Sequence, residues 1–307
     1  MRVTQSMLTN NMLRNLSNSY NSLGKYMEQL STGKKINRPS DDPVIAMKGM
    51  NYRTQVNQLE QYERNIGEVH NWMDNTDSAL EKVQKGLERL RELAVQGGAN
   101  GTYEEGQRGN MASEVRQLKE HILEIANTKV NNKYIFSGTA TTGNGGDKPY
   151  VLDGEDTSAA NPDFFQFYGN QDAVNIEVST GSKIQVNTKG NEVFTEDLFK
   201  DLTDFANTLD DDNASDEEIA QFIEKIDGHI DNNVNARADL GARQNRIDLI
   251  ENRVLEQQVT ATDMMSKNEN ADLEEVILNL TSQEAVHRAA LSAGARVIQP
   301  TLLDFLR

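Results

Sequence analysis

The chain has 307 residues, with 48 acidic against 31 basic side chains and a formal net charge of −17. That length allows two or three domains, and so acidic a balance argues against nucleic acid or an anionic membrane surface as the main partner, since both require a basic footprint. No cysteine is present, so disulfides and thiol chemistry are excluded.

The charge is unevenly placed. Residues 1–43 and 271–307 together sum to +1, leaving −18 on the body between them. Solubility is thus built into the middle, and the ends are nearly neutral, as surfaces meant to be covered tend to be. Met1 to Tyr20 is interrupted by Asn and Ser and lacks the apolar core and cleavage site of a secretory signal peptide. No window approaches the ~20 apolar residues of a membrane span. These signs predict a chain that does not insert into a membrane and is either cytoplasmic or exported by a route that needs no such peptide.

In chain order, Leu13, Leu16, Tyr20, Leu23, Met27 and Leu30 follow one another at alternating spacings of three and four, a heptad seam. Gly33 is placed to end that helix in a left-handed conformation, and Asp42 followed by Pro43 makes an N-cap and first-turn pair for the next. From Pro43 the ladder Ile66, Val69, Met73, Thr76, Leu80, Val83, Leu87, Leu90, Ala94 predicts a long helix, stopped near Gln96–Gly101. A second helix resumes near Glu104 with Met111, Val115, Leu118, Ile122 and Ile125, forming a helical hairpin.

After Tyr134–Gly138 the period changes. Val174, Ile176 and Val178 alternate, Ser179–Ser182 turns, and Ile184 and Val186 alternate again, which signals a β-hairpin. Residues 139–195 read as a small β-rich insertion. Helix returns with Leu198, Leu202, Phe205 and Leu209, and Asp210–Asn213 ends it. Ser215 with Glu218 has the form of a capping box for another long helix, on which Ile219, Phe222, Ile226, Asn233, Leu240, Ile247, Ile250, Val254 and Ala261 share a face.

The C-terminal stretch, residues 271–307, is too apolar to remain a solvated terminus. On a helical wheel Ala285, Val286, Ala289, Ala290, Ala293 and Val297 fall on one side and Leu291, Ala295 and Ile298 on another, the mark of a helix covered on more than one face. The N-terminal helix covers one face; the second calls for a partner outside the chain. The expected interface is therefore Leu13, Leu16, Leu23, Met27 and Leu30 with Leu280, Val286, Ala290, Ala293 and Val297, and both ends are expected to stay largely disordered until assembly.

The fold class that follows is mainly α, with long antiparallel helical rods from both chain ends and a small β-rich insertion. Its expected divisions are a terminal helix pair (1–43 with 271–307), helical rods (44–138 with 196–270) and the insertion (139–195).

No catalytic, cofactor or metal constellation is legible. His70, His121, His229 and His287 lie in different helices without i, i+4 pairing or clustered carboxylates. Gly143–Lys148 is glycine-rich but lacks the Gly-Lys-Ser/Thr ending of a phosphate loop and reads as a connector. Asp210–Asn213 lacks the ordered spacing of a calcium loop.

Leu30-Ser31-Thr32-Gly33-Lys34-Lys35-Ile36 with Ser40-Asp41-Asp42-Pro43, then Gly241-Ala242-Arg243-Gln244-Asn245-Arg246, and the Ala290-Leu291 to Leu302-Leu303 segment resemble the flagellin superfamily. Tyr134 to Thr139 before the insertion and Gly190 to Phe194 closing it look like its branch of hook-associated proteins at the hook-filament junction. Departures are Tyr168-Gly169-Asn170, where that branch usually has Gly-Asp, and His287, where it often has Tyr.

The resemblance implies a secreted, non-enzymatic structural subunit of the bacterial flagellum, passed through the type III export channel on an uncleaved N-terminal signal. It also implies a ring of identical subunits packed by paired terminal helices, a neighbouring hook-associated protein and through it hook and filament, and an export chaperone on the C-terminal helix. The nearest alternative reading is a flagellin, the filament subunit itself; a secreted adhesin or effector, or an enzyme with its site in the insertion, is more distant.

Overall fold

In the computed structural model, which describes residues 2–98, 105–142, 148–153, 164–211 and 214–298, six helices form: α1 (Arg2–Thr32), α2 (Pro43–Gly97), α3 (Glu105–Ala126), α4 (Glu196–Asp210), α5 (Asp216–Glu269) and α6 (Leu273–Ile298). Their ends sit where local chemistry places them. Gly33 has φ +68° and its N–H donates to the Gln29 carbonyl, a left-handed C-cap. Asp42 Oδ1 accepts from the N–H groups of Val44 and Ile45 at 2.9 and 3.0 Å. Ser215 and Glu218 cap each other reciprocally: the Ser215 N–H donates to the glutamate carboxylate at 3.0 Å, and the Glu218 N–H to the serine hydroxyl at 3.2 Å. Gly143–Asp147, Asp212 and Asn213 lie outside the described residues, as do the positions just beyond Gly98 where α2 was expected to stop.

The chain divides into two units, residues 1–60 with 256–307 and residues 61–255. In the second, α3 runs back along α2 and packs with α4, while α5 faces α2. Every apolar residue of the α2 ladder from Ile66 to Ala94 is buried, and so are Ile219, Ile226, Leu240, Ile247 and Val254 on α5. Thr76 on α2 and Asn233 on α5 are among the polar side chains buried here. Thr76 donates to the Trp72 carbonyl, and Asn233 donates to the Leu80 carbonyl and to Gln84 Oε1. Across the same seam Arg237 makes a two-pronged pair with Asp77 at 2.9 and 3.2 Å. Leu118 on α3 is only half-buried, and Lys119 takes the inward position, its ammonium donating to the Thr203 hydroxyl at 3.1 Å. Its aliphatic stem fills the apolar contact while its head finds a partner.

Among the described residues the β-structure is three separate two-stranded antiparallel sheets: β1 (Lys129–Val130) with β2 (Lys133–Tyr134), β3 (Tyr150–Asp153) with β4 (Phe164–Phe167), and β5 (Asn175–Ser179) with β6 (Ser182–Gln185). The last is the expected hairpin, Ile176 opposite Ile184, turned at Gly181 with φ +72°. The first begins ahead of residue 139, where the sequence reading started the insertion. Its turn is Asn131-Asn132, both with positive φ, and asparagine tolerates the left-handed region that a two-residue hairpin requires. Tyr134 to Ser137 are buried, so this motif anchors the β-structure to the helices.

Candidate functional site

The candidate surface lies in the unit made of residues 1–60 and 256–307. There α1 and α6 pair antiparallel. At their joined base the Ala271 N–H donates to the Gly33 carbonyl at 2.9 Å and the Lys35 N–H to the Glu269 carbonyl at 2.7 Å. Glu269 is held from its side chain as well: Arg53 donates to its Oε2 at 2.5 Å and Lys34 Nζ lies 3.5 Å away. The Arg53 hydrogen bond is the main reason its carboxyl is held below the usual range. Gly49 on α2 leaves the room, since a Cβ there would stand 2.9 Å from Glu269 Oε1. Asn268 completes the clasp by donating to the Ile45 carbonyl at 3.0 Å.

Higher up the pair, the covered stripe is not the one that apolar spacing picked out. Ser19 is buried, and Gln283 donates to its hydroxyl at 3.0 Å; Met12 lies against Gly294, where a Cβ would come within 2.4 Å of its methyl. Val276 is buried, and Leu16, Leu23, Leu280 and Ala290 are half-buried. The seam therefore runs Met12, Leu16, Ser19, Leu23, Tyr26. Of the expected interface residues, Leu13 (57% exposed), Met27 (53%), Leu30 and Val286 (53%) face outward, as do Tyr20 and Ala293. Val297 has a side chain outside the described residues.

The reason is geometric. Two heptad stripes on α1 share Leu16 and Leu23, and the partner's Gln283 and Gly294 select the one carrying a hydroxyl to bond and a thioether to lay over a bare backbone. Sequence reasoning missed Ser19, Gln283, Met12 and Gly294 because it ranked apolar residues; the signal available was a small residue at heptad spacing from Ala290 and Gln283.

The displaced stripe has a consequence for the surface. Leu13, Tyr20 and Met27, seven residues apart, form a line roughly 80° around α1 from the seam. On α6, Leu273, Ile277 and Leu291 are exposed on one side, and Val286 and Ala293 on the other. Leu13 and Leu291 meet across a shallow apolar groove of about 140 Å³, which Met12, Leu16, Ala290 and Gly294 also line. Such a contiguous apolar face, on a unit that has already formed its own seam, is suited to packing against another helix rather than to bond-making chemistry.

Histidines were expected to stand apart from carboxylates, and for His70 that is corrected. In the unit of residues 61–255 its Nε2 lies 3.2 Å from Glu251 and 3.9 Å from Asp248, brought together by the packing of α5 against α2 across 178 residues of sequence or more. His229 Nε2 likewise meets Asp201 at 3.0 Å, in company with Lys225. No helix among the described residues is long and apolar enough to cross a membrane.

Comparison with known proteins supplies the family. The bacterial flagellin N-terminal helical region matches residues 3–141, and the bacterial flagellin C-terminal helical region matches residues 223–306. Flagellar hook-associated protein 3 of Escherichia coli is 25% identical over 94% of this chain and 96% of its own length. A flagellin of Bacillus subtilis is 27% identical over the whole of both chains. Among solved structures, a flagellar hook-associated protein of Vibrio parahaemolyticus superposes with a TM-score of 0.65 at 20% identity, covering 75% of this chain and all of its own.

Proposed function

From the premise that this chain belongs to the bacterial flagellin family, structural proteins of the flagellum, we propose that it is the hook-associated subunit at the junction between hook and filament. In this reading copies of the chain form a ring, each subunit offering the outward stripe of its terminal helix pair to its neighbours. Residues 1–43 with 271–307 act as the assembly domain, beside the helical rods of 44–138 with 196–270 and the insertion of 139–195. The exposed members of the expected interface, Leu13, Met27, Leu30, Val286 and Ala293, make the contacts between subunits, while Leu16, Leu23, Leu280 and Ala290 hold the pair together.

The observation that carries this is the apolar line Leu13, Tyr20, Met27 left uncovered beside a complete intramolecular seam. Support for the junction reading comes from the likeness to hook-associated protein 3 over nearly all of both chains. The likeness to a flagellin of equal extent favours the filament subunit as the second reading. Membership of that family supports the export route of flagellar components; in this reading a neighbouring hook-associated protein is the axial partner and a chaperone covers the C-terminal helix before export.

Deleting the gene separates the two readings. Loss of a junction protein leaves bare hooks in electron micrographs while flagellin is still made and released into the medium. Loss of the filament subunit removes that secreted flagellin, and would overturn the junction reading.

A further inference from the structure

We propose that His70, Asp248 and Glu251 form a surface site for one divalent cation of the zinc class, bridging α2 and α5 within the unit of residues 61–255. Asp248 and Glu251 are three apart on α5, so both carboxylates leave the same side of the helix. His70 of α2 meets them with Nε2, 3.2 Å from Glu251 Oε2 and 3.9 Å from Asp248 Oδ1, and the three donor atoms all lie within 4.8 Å of one another. Zinc bound at about 2.0–2.2 Å to nitrogen and oxygen in a tetrahedron sets its ligands roughly 3.3–3.5 Å apart. The two short edges bracket that spacing, and the exposed Asp248 side chain is free to close the third.

Charge argues in the same direction. Two other acidic positions that face a neighbouring helix in this unit are answered by fixed cations: Asp201 by Lys225 beside His229, and Asp77 by Arg237. Among the described residues neither Asp248 nor Glu251 has a lysine or arginine partner, and the imidazole alone stands between them. One ring nitrogen can donate a proton to only one of the two carboxylates, leaving the other unanswered; a divalent cation turns the same three atoms into one nitrogen and two oxygen ligands. Imidazole with carboxylates is a borderline donor set, which suits zinc better than calcium or magnesium. Asp248 and Glu251 are partly solvated, so water completes the coordination and the ion exchanges readily.

The test is calorimetric titration of zinc chloride into the metal-free full-length chain, set beside His70→Ala and the shape-preserving double variant Asp248→Asn/Glu251→Gln. The proposal expects one saturable site in the native chain, binding at least tenfold weaker in both variants, and a zinc-dependent rise in unfolding temperature confined to the native chain. Absence of saturable binding in the native chain overturns it, as does equal binding by native chain and variants. Because both carboxylates lie at the surface, the double variant remains informative if His70→Ala fails to fold.

Discussion

The hydroxyl of Tyr150 donates to the backbone carbonyl of Phe136 at 3.0 Å, directly over Gly190, where a Cβ would stand 1.6 Å from that hydroxyl. This one contact joins three stretches distant in sequence: the buried motif after α3, the start of β3 and the 3₁₀ turn Gly190–Glu192 that closes the β-structure. Phe194 fills the remaining space, 4.9 Å from the Phe136 ring and 5.7 Å from that of Tyr150.

Gly190→Ala is accordingly expected to destabilise the unit of residues 61–255 by about 2–4 kcal/mol, since backbone and a buried ring must both shift. Tyr150→Phe removes the donor without the clash and is expected to cost ~1–2 kcal/mol for the unpaired carbonyl. Urea unfolding of the two variants ranks them; a Gly190→Ala midpoint at or above that of Tyr150→Phe would contradict the account. Burial also pushes the Tyr150 phenol well above its ordinary pKa, so absorbance titration to pH 11 should show a protonated tyrosine in the native chain that is missing from Tyr150→Phe.

Glu269 sets a pH dependence in the terminal unit. Its folded-state pKa is lowered, chiefly by the Arg53 hydrogen bond, so the clasp's contribution is complete above the ordinary glutamate range near ~4.3 and is lost as pH falls through the folded value. Arg53 is half exposed, which limits the ion pair to ~1 kcal/mol. The protection factors of the Lys35 and Ala271 amides, corrected for intrinsic exchange that itself slows on acidification, should show an excess loss between about pH 5 and about pH 3. Glu269→Gln should abolish that excess; if it persists in the variant, the clasp is not its source.

Asn233 is buried with its Oδ1 unpartnered among the described residues. A polar residue at such a heptad position fixes register at a cost in stability. Asn233→Leu should raise the unfolding temperature, by the equivalent of ~1 kcal/mol, and calorimetry showing a lower one would mean that the bonds to Leu80 and Gln84 outweigh the stranded oxygen.

The seam on α6 leaves little room for bulk. Ala290→Trp should overpack the helix pair at a cost of roughly 1–3 kcal/mol, whereas Ala293→Trp, on an exposed position, should leave the pair intact. The two ends pair within one chain in this structure, where the sequence predicted order only on assembly, so helix content of the isolated full-length chain on heating distinguishes the variants; equal behaviour of the two would misplace the seam.

What the sequence made legible follows from how local each cause is. The capping box at Ser215, the cap at Asp42, the C-cap at Gly33 and the buried ladders of α2 and α5 are readable because neighbours within a turn or two determine them. The choice between two overlapping stripes on α1 is not local: it depends on Gln283 and Gly294, more than 260 residues away. The same holds for His70, whose carboxylates come from a helix that only the fold brings alongside. The Asn131-Asn132 hairpin was legible in principle, but two-residue strands carry no alternation to reveal them.

The most direct measurement is electron microscopy of cells whose only copy of this chain carries Leu13→Gln, Tyr20→Gln and Met27→Gln. Polar residues there leave the Met12–Ser19–Tyr26 seam unchanged and remove the outward apolar line. The account predicts bare hooks with the variant and flagellin both recovered from the medium. Full-length filaments on those cells, with the variant seated beneath them, would contradict it.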